Sequence, residues 1–258
     1  MRQRESLDPV ECCIRNPPAP GQTGTDPIQL KIIDTIRTGD KHAAQLVTVQ
    51  ILHLPESIST ISSLDDYYVA KFHDPLYHDH VDENAADPFL YVDRAYTNEV
   101  AVYEMLQPLQ GTMIPEFYGS FTLELPVPDR VETRFVRFIL IQLVPGVSMR
   151  ELNPADFSQK TRQAIMKAII DIESLMFTYN VHHCDTHPRN VMVLPQDPTG
   201  SLHMRIIDFG NSRHRIPYWE PWCTGSRAEK FLPGVPISPI LRWDRSNRPQ
   251  DEFSAWID

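Results

Sequence analysis

The sequence predicts an α+β chain: a five-stranded antiparallel sheet with one helix in the first half, then a reduced, mainly helical second half. Three observations carry this. Five runs rich in β-branched and aromatic residues, bounded by turn formers, occur before residue 145. A helical pattern, YVDRAYTNEVAVYEMLQPL, falls between the third run and the fourth. A longer one, FSQKTRQAIMKAIIDIESLMFTYNV, follows a Pro-Gly break and leads into a polar loop and a hairpin.

Composition bounds what such a chain does. Its 258 residues are 41% hydrophobic and 22% charged, enough to build packed cores. The net charge of −10 offers no basic field for a nucleic-acid backbone or an anionic membrane surface, so neither is expected as a partner. No apolar run approaches the roughly 18 residues of a membrane-spanning helix, and MRQRESLDPVECC lacks the apolar core of a secretory signal. A cytoplasmic location is expected, with the nucleus as the alternative. The four cysteines, Cys12, Cys13, Cys184 and Cys223, lack zinc spacing and read as free thiols, with Cys184 a small buried packing residue.

Residues 1–26, with RNPPAPGQTGTDP, show no periodicity and read as a flexible arm. IQLKIIDTI and AAQLVTVQIL are the first two strands, joined by RTGDKH with Gly39. YYVAKFHDP is the third, and its period of two puts Val69 and Lys71 on one face and Ala70 and Phe72 on the other. A lysine among apolar neighbours needs a counter-charge. In the following helix Ala95, Glu99, Val102 and Leu106 recur at i, i+4, i+7 and i+11, so Glu99 lies on the apolar stripe, while Glu104 is rotated away from it by roughly 140°. Glu99 is therefore the expected partner of Lys71. The insert between them carries His73, His78 and His80 with Asp79, Asp82 and Glu83. It has no strict ligand spacing and reads as a solvated loop.

PEFYGSFTLEL and RFVRFILIQLV, joined by PVPDR, complete the five strands, and Pro145 and Gly146 then break the pattern. In the long helix Ile165, Ile169, Ile172 and Met176 form the apolar stripe, and Ser158 is the expected N-cap. It delivers the chain to HHCDTHPRNVMV, residues 182–193, and then, past the turn QDPTGSLH, to MRIIDFG, residues 204–210. Strand, turn, strand with acids at both mouths would bring Asn190 and Asp208 together. Such a pair of oxygen donors suits Mg²⁺, which takes one or two protein ligands and completes its shell with water and phosphate oxygens. Asp185 nearby could orient a hydroxyl and accept its proton.

This layout resembles the catalytic core of the protein-kinase-like superfamily, whose loop reads HxDxxxxN and whose metal site reads DFG. The matching residues are His183, Asp185 and Asn190, then Asp208, Phe209 and Gly210. VAKF likewise resembles the kinase VAIK motif, with Lys71 as its lysine. The resemblance implies a two-lobed fold, residues 27–144 forming the N-lobe and 145–258 a C-lobe truncated after the DFG segment, with a hinge near Pro145 and Gly146. It implies ATP and Mg²⁺ as cofactors. Lys71, paired with Glu99, would contact the α and β phosphates, backbone groups of Gln142, Leu143 and Val144 the adenine, and Asn190 and Asp208 the metal. Asp185 would be the base, and His187 would approach the reacting phosphate, with His183 structural. Gly39 stands alone where kinases have a glycine-rich loop, which leaves both an ordinary hairpin turn and a nucleotide-covering loop open.

Within the superfamily, DTHPRN resembles the aminoglycoside and choline kinase branch, and fungal kinase-domain sequences, more than the DxKPxN of serine/threonine kinases. Cys184 stands where many regulated kinases carry arginine, which implies no pairing with an activation-loop phosphate. After Gly210 the stretches RIPYWEPWC and FLPGVPISPILRW have few helical periods and no APE-like motif. The expected function is transfer of the γ-phosphate of ATP to a hydroxyl of a protein or small molecule. The alternative is a pseudokinase used as a nucleotide-binding or protein-interaction scaffold.

Overall fold

The computed structural model describes residues 8–19, 27–40, 42, 44–54, 66–78, 87–198, 200, 202–214 and 247–257. The acidic end of the histidine insert, Cys223 and the Pro- and Trp-rich stretch of residues 215–246 lie outside them. The chain divides into two compact units, Met1–Val100 with Glu116–Leu143, and Ala101–Pro115 with Val144–Asp258.

In the first unit the five expected strands form: β1 (Gln29–Arg37), β2 (Gln45–His53), β3 (Tyr67–His73), β4 (Phe117–Pro126) and β5 (Thr133–Gln142). They make one antiparallel sheet in the order β1-β2-β3-β5-β4. The period of two sorts β3 as expected. Tyr68 and Ala70 join Val47, Val49, Ile51, Phe138 and Leu140 in an apolar cluster on one face, with Phe72 packed against it. Val69, Lys71 and His73 are buried on the other face, where α2 (Pro88–Met105) supplies Glu99.

Two expectations change here. His73 belongs to β3 and is 2% exposed, so it is no part of a solvated loop. Strand alternation puts it on the face of Lys71, which the polar run after it concealed. The segment expected to be a flexible arm contains a helix, α1 (Pro9–Arg15), capped by Asp8 and opened by a proline at its start. It docks beside β5: Cys13 is buried, and the Arg130 guanidinium donates to Glu11 at 2.6 Å. Arg15 and then Arg130 hold the Glu11 carboxyl below its usual range.

The second unit is built on α3 (Gln159–Thr178). The Ser158 hydroxyl accepts from the Thr161 N–H at 3.1 Å, the expected cap. Ile165, Ile169, Ile172 and Met176 are buried along its stripe. Beside it β6 (Val147–Ser148), β8 (Val191–Val193) and β9 (Met204–Ile206) form a three-stranded sheet in the order β6-β8-β9. The short strands β7 (Val181–His182) and β10 (Arg213–His214) pair with each other. Gly146 lets the chain enter β6, since a Cβ there would sit 2.7 Å from the Val193 carbonyl oxygen.

Within the region read as poor in helix, α4 (Asn247–Ile257) packs on α3. Its Phe253 and Trp256 are buried, Trp256 with its ring 5.5 Å from that of Phe157. Two apolar residues three apart were too short a pattern to mark it. No helix among the described residues is long and apolar enough to cross a membrane.

Candidate functional site

The loop between β7 and β8 is held by His183, which is 1% exposed. Its Nδ1 accepts the Asp185 N–H at 3.3 Å, which leaves the proton on Nε2 to be donated to the Ile207 carbonyl at 3.0 Å. One imidazole thus ties the loop before Asp185 to the chain end before Asp208. Phe209, fully buried, stands edge-on to the rings of His183 and Tyr103 at 5.2 Å each.

The hairpin does what its sequence predicts. β8 and β9 pair with Val191 opposite Ile206, and the Ile207 N–H donates to the Asn190 carbonyl at 2.9 Å. Asp208 is the next residue, so its backbone lies beside that of Asn190. Asp208 and Cys184 both adopt left-handed backbone, φ +68° and +62°, an uncommon state for residues with a Cβ that recurs at functional sites. Cys184 is exposed, contrary to the buried packing residue expected, because this backbone swings its side chain out of the loop. Loss of water around it still pushes its thiol pKa upwards.

Asp185 is surrounded by donors. Arg189 Nη2 donates to its Oδ1 at 2.6 Å, His187 Nε2 lies 3.3 Å from the same oxygen, and Asn190 Nδ2 donates to Oδ2 at 3.1 Å. Asn190 also donates to the Asp185 carbonyl at 2.8 Å. Asn190 turns its Nδ2 towards Asp185, which leaves its Oδ1 as the end of the amide able to act as an oxygen donor, and an amide oxygen and a carboxylate such as that of Asp208 are donor types that suit Mg²⁺.

The loop is also anchored from behind. The Thr186 hydroxyl donates to Glu173 of α3, and both residues are buried. Glu173 lies eight residues after Ile165 and four after Ile169, so it sits on the apolar stripe, as Glu99 does in α2. The argument that singles out Glu99 applies to it equally. Arg189 has a plainer signal, four residues after Asp185 in the loop.

In the first unit Lys71 Nζ lies 2.7 Å from Glu99 Oε2, with side chains 4% and 0% exposed. His73 Nε2 is 3.6 Å from the same oxygen. Gly39, at φ +115°, donates its N–H to Gln45 Oε1 at 2.6 Å, and its carbonyl accepts from Gln45 Nε2 at 3.1 Å. This side-chain clamp closes the turn and takes the N–H that a phosphate would need. Gln142 spends its N–H on the Glu116 carbonyl at 2.9 Å, and the Val144 carbonyl accepts from the Gly146 N–H at 2.9 Å.

Residues 116–218 match the ABC1 atypical kinase-like domain. A stretch of 86 residues, 32% of this chain and 21% of the relative's own length, is 28% identical to serine/threonine-protein kinase 17A of Oryctolagus cuniculus. Both likenesses are to kinase-like proteins, and they support a kinase-like superfamily for the stretch they cover. The matched domain holds His183, Asp185, Asn190 and Asp208, while Lys71 and Glu99 precede it. The kinase-like reading of those two rests instead on their burial as an ion pair. The α+β architecture, with a five-stranded antiparallel sheet and few helices, is consistent with a kinase-like N-lobe.

Proposed function

We propose that this chain transfers the γ-phosphoryl group of ATP to a hydroxyl of a protein or small molecule. The observation that carries the reading is Asp185. Its carboxylate is held in place by Arg189, Asn190 and His187, beside a hairpin that runs directly into Asp208. Fixing a carboxylate from several sides lets it meet an incoming hydroxyl without reorganising.

Asp185 accepts the proton as the acceptor oxygen bonds to the γ-phosphorus and the bond from that phosphorus to the β-phosphate oxygen breaks. Arg189 offsets negative charge on the loop. Lys71, oriented by Glu99, would hold the α and β phosphates. Asn190 Oδ1 and Asp208 would hold Mg²⁺, which supplies positive charge against the phosphate oxygens. The aminoglycoside and choline kinase likeness of DTHPRN favours a small-molecule acceptor.

The test is ATP turnover with Mg²⁺, comparing wild type with Asp185→Ala and following phosphate onto protein, small molecule or water. Transfer is expected to fall by at least a hundredfold in the variant while ATP still binds. Wild-type transfer by Asp185→Ala would refute the assignment.

One observation favours a second reading, a pseudokinase scaffold: the Gly39 N–H is committed to Gln45. A scaffold that binds no nucleotide would show no Mg²⁺-dependent thermal stabilisation by ATP.

A further inference from the structure

The C-terminal helix α4 brings a carboxylate to the loop that carries Asp185. Glu252 Oε2 lies 3.1 Å from His187 Nδ1, while His187 Nε2 lies 3.3 Å from Asp185 Oδ1. One imidazole therefore has a carboxylate on each nitrogen. We propose that Glu252 is a positioning residue for the catalytic loop, holding the His187 ring so that its Nε2 faces Asp185. The proposal rests on the phosphotransfer reading.

The argument starts from what holds Glu252 there. An exposed ion pair contributes little by itself, typically 0–1 kcal/mol, and Glu252 is 44% exposed. Its neighbours do the anchoring: Phe253, the next residue, is fully buried, and Trp256, one turn further on, is 3% exposed and packs on Phe157. Burial of the two rings places the first of these three residues without any need for the ion pair to be strong.

The effect falls on His187. Its side chain is 15% exposed, and a half-turn of its ring about χ2 would put Cδ2 where Nδ1 stands and Cε1 where Nε2 stands. A carboxylate on Nδ1 removes that freedom, as an acidic partner on the far nitrogen does for a general base or a metal-bound histidine. Asp185 keeps its Oδ1 contacts with both Arg189 and His187 only while the ring stays in this orientation. Glu252 touches neither the reacting atoms nor Asp185, so it acts only through His187.

The experiment compares full-length wild type, Glu252→Ala, Glu252→Gln and Trp256→Ala in Mg²⁺-dependent ATP turnover. Thermal melts, and ¹⁵N spectra of the histidine rings, are recorded for each. Glu252→Ala is expected to lower kcat about tenfold, within the range for removing an outer partner of a working side chain. Its KM for ATP should stay within twofold and its Tm unchanged. Glu252→Gln, which keeps a side-chain oxygen acceptor, should recover most of the rate. Trp256→Ala should lose rate and Tm together, because it undocks the helix. The His187 Nδ1 resonance should move in Glu252→Ala.

A kcat for Glu252→Ala within twofold of wild type would overturn the proposal. So would an increase, which would make α4 a shield over the loop. If the wild type does not turn over ATP at all, a shifted His187 resonance in Glu252→Ala indicts the phosphotransfer reading. An unmoved resonance indicts the Glu252 contact itself.

Discussion

Glu99 is completely buried, with Lys71 Nζ 2.7 Å away as the counter-charge that a buried carboxylate needs. Removing one partner strands the other charge, so Glu99→Ala should destabilise the protein by about 3–5 kcal/mol, read from urea unfolding. A drop under 1 kcal/mol would mean that the pair is solvated in solution. Thr186 and Glu173 make the same point for the loop. Thr186→Val leaves Glu173 without the hydroxyl it accepts from, and should cost about 1–3 kcal/mol and lower kcat. Cysteine chemistry follows burial. Desolvation pushes the Cys13 thiol up to about 12, so at pH 8 it is almost wholly protonated. Iodoacetamide at that pH should label Cys12 and Cys184 well before Cys13, with mass spectrometry of tryptic peptides as the readout.

Elements carry the next level of cost. α3 presents Ile169 fully buried in the middle of its stripe, and Ile169→Ala should cost about 2–5 kcal/mol through lost burial and the cavity left behind. Ser158→Ala removes only the cap and should cost about 1 kcal/mol. The ratio of the two, measured in one denaturant series, separates packing from capping. Gly146 answers to a different constraint. Its neighbour is the Val193 backbone, which cannot rotate away as a side chain would, so Gly146→Ala should displace β6 from β8 and cost about 1–3 kcal/mol.

For the whole molecule the testable quantity is linkage. If ATP and Mg²⁺ bind the folded chain alone, ATP at a hundred times its Kd adds about 2.7 kcal/mol to stability. For a chain of this size that is a rise of roughly 5–10 °C in Tm. Asp208→Ala should lose the Mg²⁺-dependent part and keep the fold. The net charge of −10 adds a long-range term, since an acidic surface disfavours a polyphosphate at low ionic strength. ATP affinity should therefore rise modestly as salt screens it, until specific contacts are screened in turn.

The sequence by itself determined whatever a short-range period encodes. Alternation in VAKF sorted Lys71 from Ala70, the stripe of α2 turned Glu99 inward and Glu104 outward, and Ser158 announced the start of α3, because strand and helix geometry make each face a function of spacing alone. The hairpin from Asn190 to Asp208 was legible for the same reason: its two strands and turn are contiguous. Tertiary structure alone decided the contacts made by residues far apart in the chain, which spacing does not encode. His73 turned to Glu99, and Glu252 reaching His187 across 65 residues, both depend on how the elements pack. The left-handed backbone at Cys184 and Asp208 belongs with them, since only the surrounding contacts hold a residue with a Cβ in that state.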